Sequence, residues 1–261
     1  MAKIIAVANQ KGGTGKTTTA LNLGAALAEQ GKRVLLVDFD PQGALTLAHG
    51  IDPDGLETTI YDALINPSMP LASVLITTEG GPDLAPTNLD LSGAEVELLS
   101  EIGREMYLAD KLRAVQDLYD VIIIDCPPTL GLLTINALAA ADEVLIPVQT
   151  EYFALKAIRQ LMGIIRKVQA KANPRLRIGG VLPTMYQTGT RHSQEVVAEL
   201  EEAFKGQVYS VAIKKTVKFP DSVIVTQEDF LEPPQSRSML RFEPRSEHAE
   251  AYRTLAREVL P

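Results

Sequence analysis

The stretch QKGGTGKTTTA, residues 10–20, decides how the rest of the chain is read. It nearly fits the phosphate-loop pattern G-x-x-x-x-G-K-[ST], but Gln10 stands where that pattern has glycine, and Lys11 adds a second lysine. An apolar β-branched run, residues 4–8, precedes it, and a segment of helical period opens near Lys16. In a strand–loop–helix, the loop's N–H groups and the helix N-terminus converge on one spot and favour an anion there. Gly12, Gly13 and Gly15 let the backbone around Thr14 close on phosphates without Cβ obstruction. Lys16 is then expected to reach the β- and γ-phosphates, the Thr17 hydroxyl to ligate Mg²⁺, and Thr18 to bond the α-phosphate.

Working outward, short apolar runs alternate with longer helical segments, the signature of βαβ units and a parallel sheet. The expected strands are residues 4–8, 34–38, 121–125, 144–148, 178–182 and 208–213. A crossover helix is expected over 16–30, with Leu21, Leu23, Leu27 and Ala28 on its apolar stripe and Gly31 stopping it. Leu108, Leu112, Val115 and Leu118 form a similar stripe, and residues 246–260 read as a terminal helix. Residues 51–86 and 220–244, rich in Pro and Gly, read as loops or irregular excursions. The fold class is therefore α/β, a mostly parallel twisted sheet with helices on both faces, in a single domain spanning 1–261.

Two further strand ends carry acids. Residues 34–38 lead into Asp38, Phe39, Asp40, Pro41, Gln42 and Gly43, and residues 121–125 end in Asp125. Open α/β sheets bind ligands at this carboxyl edge. An acid after four apolar residues, downstream of a phosphate loop, is a Walker B candidate that holds the Mg²⁺ shell directly or through water.

Composition narrows the chemistry. The chain has 261 residues, 46% of them hydrophobic and 22% charged, enough for a substantial core without staples. The one cysteine, Cys126, excludes an internal disulfide and has no neighbouring His or Lys to activate it, so it reads as an inert buried thiol. His49, His192 and His248 are scattered, without metal-ligand spacing. With neither a signal segment nor an apolar run of about 18 residues, the expected location is cytoplasmic. A net charge of -8 leaves only local patches for nucleic acid. Residues 156–177 are one: Lys156, Arg159, Arg166, Lys167, Lys171, Arg175 and Arg177 without a single acid. Lys214, Lys215 and Lys218 form a second.

Three segments, NQKGGTGKTTTALNLGAALAEQGKRVLLVDFDPQG, YDVIIIDCPPTLGLLTINALAAADEVLIPVQTEYFAL and AEAYRTLARE, closely resemble the ParA/Soj partition ATPases. These belong to the deviant-Walker P-loop NTPases, with MinD and the nitrogenase iron protein. The resemblance runs from the first strand to about Glu202 and returns at the last helix. It implies an ATP- and Mg²⁺-dependent ATPase that forms a homodimer around two nucleotides, in which Lys11 crosses to the partner's phosphates. A cation supplied in trans neutralises charge on the transferring phosphoryl group, as an arginine finger does. Lys11, Lys16 and Asp40 become the catalytic set, with Asp40 orienting water; Thr17, Asp40 and Asp125 become the metal set. Asp38 becomes a supporting switch carboxylate. Gly12 is expected to pack on the opposing loop, and Thr184 and Met185 to line an adenine pocket.

The same resemblance implies a ParB-like adaptor whose basic terminus stimulates slow hydrolysis, and non-specific DNA binding that makes the protein nucleoid-associated. The sequence departs from the family at Gln187, Gly189, Lys214, Lys215 and across 220–241. Other members of the class give competing expectations. A MinD-like membrane cycle needs an amphipathic C-terminal anchor, but the tail AYRTLAREVLP has no Trp or Phe and balances its charges. An iron-protein cluster needs two cysteines per subunit. A positioning ATPase with a protein cargo differs only in the adaptor.

Overall fold

The computed structural model describes residues 1–78, 80–151, 154–219, 230 and 232–260. Its centre is a six-stranded, all-parallel sheet in the order β3-β2-β4-β1-β5-β6. The strands are β1 (Lys3–Val7), β2 (Val34–Asp38), β3 (Asp83–Ala85), β4 (Val121–Asp125), β5 (Glu143–Gln149) and β6 (Arg177–Thr184). Every residue of β2 and β4 is buried, as expected of continuously apolar strands covered on both faces.

The helices fall into two layers. On one face α1 (Lys16–Glu29) packs against α10 (Glu247–Val259), the short α2 (Ala44–Leu47) and α9 (Met239–Phe242) lie beside α1, and Leu21, Leu23, Leu27, Tyr252 and Leu255 share one core. On the other face lie α3 (Ile60–Ile65), α4 (Leu91–Glu97), α5 (Tyr107–Arg113), α6 (Leu132–Ala140), α7 (Ala154–Lys171) and α8 (Arg191–Phe204). Alternate residues of β4 divide between the layers: Ile122 and Ile124 to one, Val121 and Ile123 to the other. The terminal helix begins at the Ser246 cap, whose Oγ accepts from Ala249 N, and buries Ala249, Tyr252, Leu255, Ala256 and Val259.

Three expectations need correction. Residues 208–213 do not form a strand; they meet β6 at an isolated bridge, Val181–Val208, and through backbone bonds from Tyr209 N to Val181 O at 3.0 Å and from Ile213 N to Pro183 O at 2.8 Å. Pro183 has no N–H to continue the ladder, and Glu258 captures both the N–H and Oγ of Ser210, at 3.0 and 2.5 Å. Residues 51–86, expected to be irregular, contain α3 and edge strand β3. α3 starts in a capping box formed by Thr59 and Asp62, whereas β3 is three residues between Pro82 and Pro86. The stripe from Leu108 ends early, because α5 stops at Arg113 and Leu118 is exposed. Of the second excursion, residues 220–229 and 231 lie outside the described residues.

Candidate nucleotide site at the carboxyl edge of the sheet

Strand register assembles the site. Asp38 pairs with Asp125, and Asp125 with Val7, so one row of the sheet ends in two carboxylates and the strand that enters residues 9–15. The loop is fastened to its neighbours by side chains. Asn9 donates to Pro147 O at 2.6 Å and accepts from Lys11 N; Gln149 Nε2 donates to Gly13 O at 2.6 Å; Thr184 Oγ1 donates to Thr14 O at 2.9 Å. Gly13 and Gly15 have φ of 71° and 85°, a region that side chains disfavour. Gly12 is different: a Cβ there would meet nothing within 4 Å in the protomer.

α1 starts at Lys16, so the unpaired amide groups of its first turn face the loop. Lys16 is buried, beside Asp40 and Asp125. Thr17 lies against Asp125, and Thr18 opens onto a cavity of about 290 Å³ lined by Gly15, Thr184, Met185, Ile213, Phe219 and Tyr252 among others. Met185 adopts a positive φ of 52°, which turns the chain along that cavity wall.

The carboxylates are held in unlike ways. Asp38 is buried and accepts from Thr46 N and Thr46 Oγ1, both at 2.7 Å, and from Asp40 N at 3.4 Å. Thr46 Oγ1 in turn accepts from Thr87 N, so Asp38 ties residues 40–46 to the end of β3. Burial nevertheless pushes the Asp38 carboxyl up to about 7. Asp40 accepts from Gln42 N, and burial raises its pKa while Lys16 opposes the rise.

Asp125 is fully buried; the Thr17 hydroxyl approaches its carboxylate, but no hydrogen bond of ordinary geometry reaches either oxygen among the described residues. Burial, and then the nearby Asp38, raise its pKa well above the carboxylate range. Three acids thus converge with one buried lysine, an arrangement short of positive charge. An orphaned buried carboxylate facing an anion-binding loop fits a divalent cation with its water shell.

Lys11 does not serve its own loop. Its Nζ lies 2.9 Å from Glu151 Oε2, with both side chains substantially exposed. Cys126 is buried, and burial raises its thiol pKa, so it does not act as a nucleophile in this state. Sequence reading did not include Asn9, Gln149, Glu151, Phe219 or Tyr252 in the site; only the polar Gln149-Thr150-Glu151 ending of an apolar strand hinted at it.

The basic stretches differ from one another. Arg159, Arg166, Lys167, Lys171, Arg175 and Arg177 are exposed on and after α7 and enter no ion pair among the described residues. In the second cluster Lys214 pairs with Glu247 at 2.6 Å and Lys218 with Glu243 at 2.7 Å. No described helix is long and apolar enough to cross a membrane.

A family model described as an AAA domain matches residues 2–178. The sporulation initiation inhibitor protein Soj of Bacillus subtilis is 46% identical over 259 residues, 99% of this chain and 98% of its own. The chromosome partitioning protein ParA of Myxococcus xanthus is 43% identical over 259 residues, 99% of this chain and 88% of its own. A crystal structure from Mycobacterium smegmatis, named cobyrinic acid a,c-diamide synthase and holding an ATP analog and magnesium, shares 40% identity at a TM-score of 0.81. It covers 98% of this chain and 93% of its own.

Proposed function

Because the chain belongs to the ParA/Soj family of partition ATPases, we propose that it is a nucleotide-gated switch that dimerises around two ATP molecules, binds DNA non-specifically and hydrolyses ATP when a partner protein stimulates it. The observation that carries this reading is the position of Lys11. A lysine in the phosphate loop that leaves its own site and sits on an exposed glutamate is available to a second copy. Exposed ion pairs are worth about 0–1 kcal/mol, so exchanging Glu151 for a partner's triphosphate costs little.

Each protomer would hold ATP with residues 12–18, place the adenine in the cavity beside Thr184 and Met185, and orient the attacking water with Asp40. Thr17 and Asp125 would hold Mg²⁺, with Asp40 at the edge of its shell. The ion supplies positive charge to the phosphate oxygens. Without a complete set of cations in its own protomer, Lys16 cannot balance the charge of three carboxylates and a triphosphate. Slow turnover by the free protein follows, and assembly of the dimer with an activator raises it.

The exposed basic residues of α7 supply the DNA surface, and location on the nucleoid in the cytoplasm follows from it. The cluster at Lys214 to Lys218 contributes less than sequence reading expects, because two of its lysines are already paired. Binding of ATP-loaded protein to duplex DNA across a salt series tests the proposal. The expected result is a steep loss of affinity with salt and a shallower slope for Arg166→Glu/Lys167→Glu. Salt-independent binding, or none at low salt, refutes the DNA role.

A further inference from the structure

Of the large apolar side chains exposed among the described residues, four fall within fourteen positions: Leu89, Val96, Leu99 and Ile102, the last 98% exposed. They follow α4 and the 3-10 turn Leu98–Ser100, which together span roughly 16 Å. Single apolar residues on a surface are ordinary, whereas four large ones along one short exposed segment form the kind of patch that a binding face presents. This stripe is edged by Asp90, Glu95, Glu97, Glu101 and Glu105, none in an ion pair among the described residues. Arg104 is the one basic residue between positions 89 and 105.

The stripe is also wired to the nucleotide site. Glu95 Oε1 accepts from Leu133 N at 3.2 Å, in the first turn of α6, directly after the loop that leaves Asp125. A Cβ on Gly131 would lie 2.3 Å from Glu95 Oε1, so α4 and that loop are in close contact. Beyond the stripe, Asn136 of α6 donates to Arg104 O at 2.8 Å and accepts from Leu108 N at 3.2 Å. Both ends of residues 95–108 are therefore clamped to the helix that carries the Asp125 loop.

We propose that this acid-edged apolar stripe is the docking site for a short segment, rich in Lys/Arg with interspersed aliphatic side chains, of the partner that stimulates hydrolysis. Its apolar side chains cover Val96, Leu99 and Ile102 while its cations meet the exposed carboxylates of Glu97 and Glu101, which accept from the hydroxyls of Tyr61 and Tyr107 and have no cationic partner among the described residues, and displacement of α4 moves the loop after Asp125 through Glu95. This rests on the proposed activator-dependent ATPase and deepens it by placing the activator.

The test uses the full-length protein and a fluorescent 18-residue Lys/Leu peptide, with a Glu/Leu peptide of the same pattern as control. Binding is read by anisotropy, ATP turnover by phosphate release and dimerisation by light scattering with an ATP analogue. The stripe variant is Val96→Ser/Leu99→Ser/Ile102→Ser, all exposed positions; a charge control on α8 is Glu199→Gln/Glu202→Gln. The expected result is that the Lys/Leu peptide binds wild type and raises turnover. The stripe variant should lose at least tenfold in affinity and the stimulation, keep basal turnover and dimerise normally, while the α8 control matches wild type.

Absence of peptide binding to wild type, equal losses in stripe and α8 variants, or unchanged binding by the stripe variant overturns the docking site. A stripe variant that fails to dimerise without peptide also overturns it, by assigning the face to a second copy. If wild type neither dimerises with the analogue nor turns over ATP without peptide, it is the underlying ATPase reading that fails.

Discussion

Replacing Asp38 with Asn removes one carboxylate from the acid cluster at little steric cost, since an amide oxygen can still accept from Thr46 N. In the nucleotide-free protein, burial lifts the Asp38 pKa from 3.8 to about 7. Between these values the folded protein holds a proton that the unfolded chain has released. The stability this contributes is complete below pH 4 and is lost as pH rises through 7. The span is about three pH units at ~1.36 kcal/mol each, or about 4 kcal/mol, and about 2 kcal/mol of it falls between pH 5.5 and pH 8. Buried His49 works in the opposite direction: burial lowers its pKa to about 4, so it favours the folded state as pH rises. The His49 contribution cancels in the difference between wild type and Asp38→Asn, and the Asp125 pKa, which Asp38 raises, falls in the variant and adds to the wild-type loss in the same direction. Urea denaturation with EDTA and without nucleotide, repeated from pH 5.5 to 8, should show wild type losing about 2 kcal/mol relative to the variant. A difference that is flat, or that rises with pH, refutes the assignment of a raised pKa to Asp38.

Three shorter tests follow from packing and charge. Gly180→Ala places a Cβ 2.5 Å from the Tyr209 ring and should cost about 1–3 kcal/mol in denaturant unfolding, whereas an unchanged midpoint shows that the ring moves freely. Gly12→Val should leave the melting temperature of the free protein near wild type, because nothing in the protomer is within 4 Å, yet abolish the ATP-dependent dimer; a normal dimer in sedimentation would show that the site does not face a partner. Glu151→Gln frees Lys11 in both subunits, and two exposed pairs at about 0–1 kcal/mol each should tighten the analogue-bound dimer by up to about 30-fold. A weaker dimer would mean that Glu151 supports association instead of competing with it.

Much of the site is legible in the sequence because its chemistry is packed into short segments at strand ends. Residues 10–18, Asp38 to Gly43 and Asp125 each follow an apolar run, and parallel strands deliver such ends to one edge of the sheet. β2 and β4 match their expected limits for the same reason: a fully buried strand has an apolar pattern with sharp ends. Legibility fails where structure depends on distant partners. β3 is a three-residue strand held by β2 on one side and by a bridge to Ile76 on the other, and residues 208–213 are drawn from the ladder by Glu258, 48 positions beyond Ser210. Glu151 is likewise invisible as a partner of Lys11, 140 residues away, until β1 and β5 are paired. The charge of Lys214 and Lys218 is plain in the sequence; its neutralisation by Glu247 and Glu243 is not.

Size-exclusion chromatography with light scattering, comparing wild type and Lys11→Ala in ADP and in a slowly hydrolysed ATP analogue with Mg²⁺, bears most directly on the switch. Expected are a monomer in ADP for both, a dimer of wild type in the analogue, and a monomer of Lys11→Ala that still binds the analogue. A monomeric wild type in the analogue, or a variant that dimerises as well as wild type, contradicts the switch.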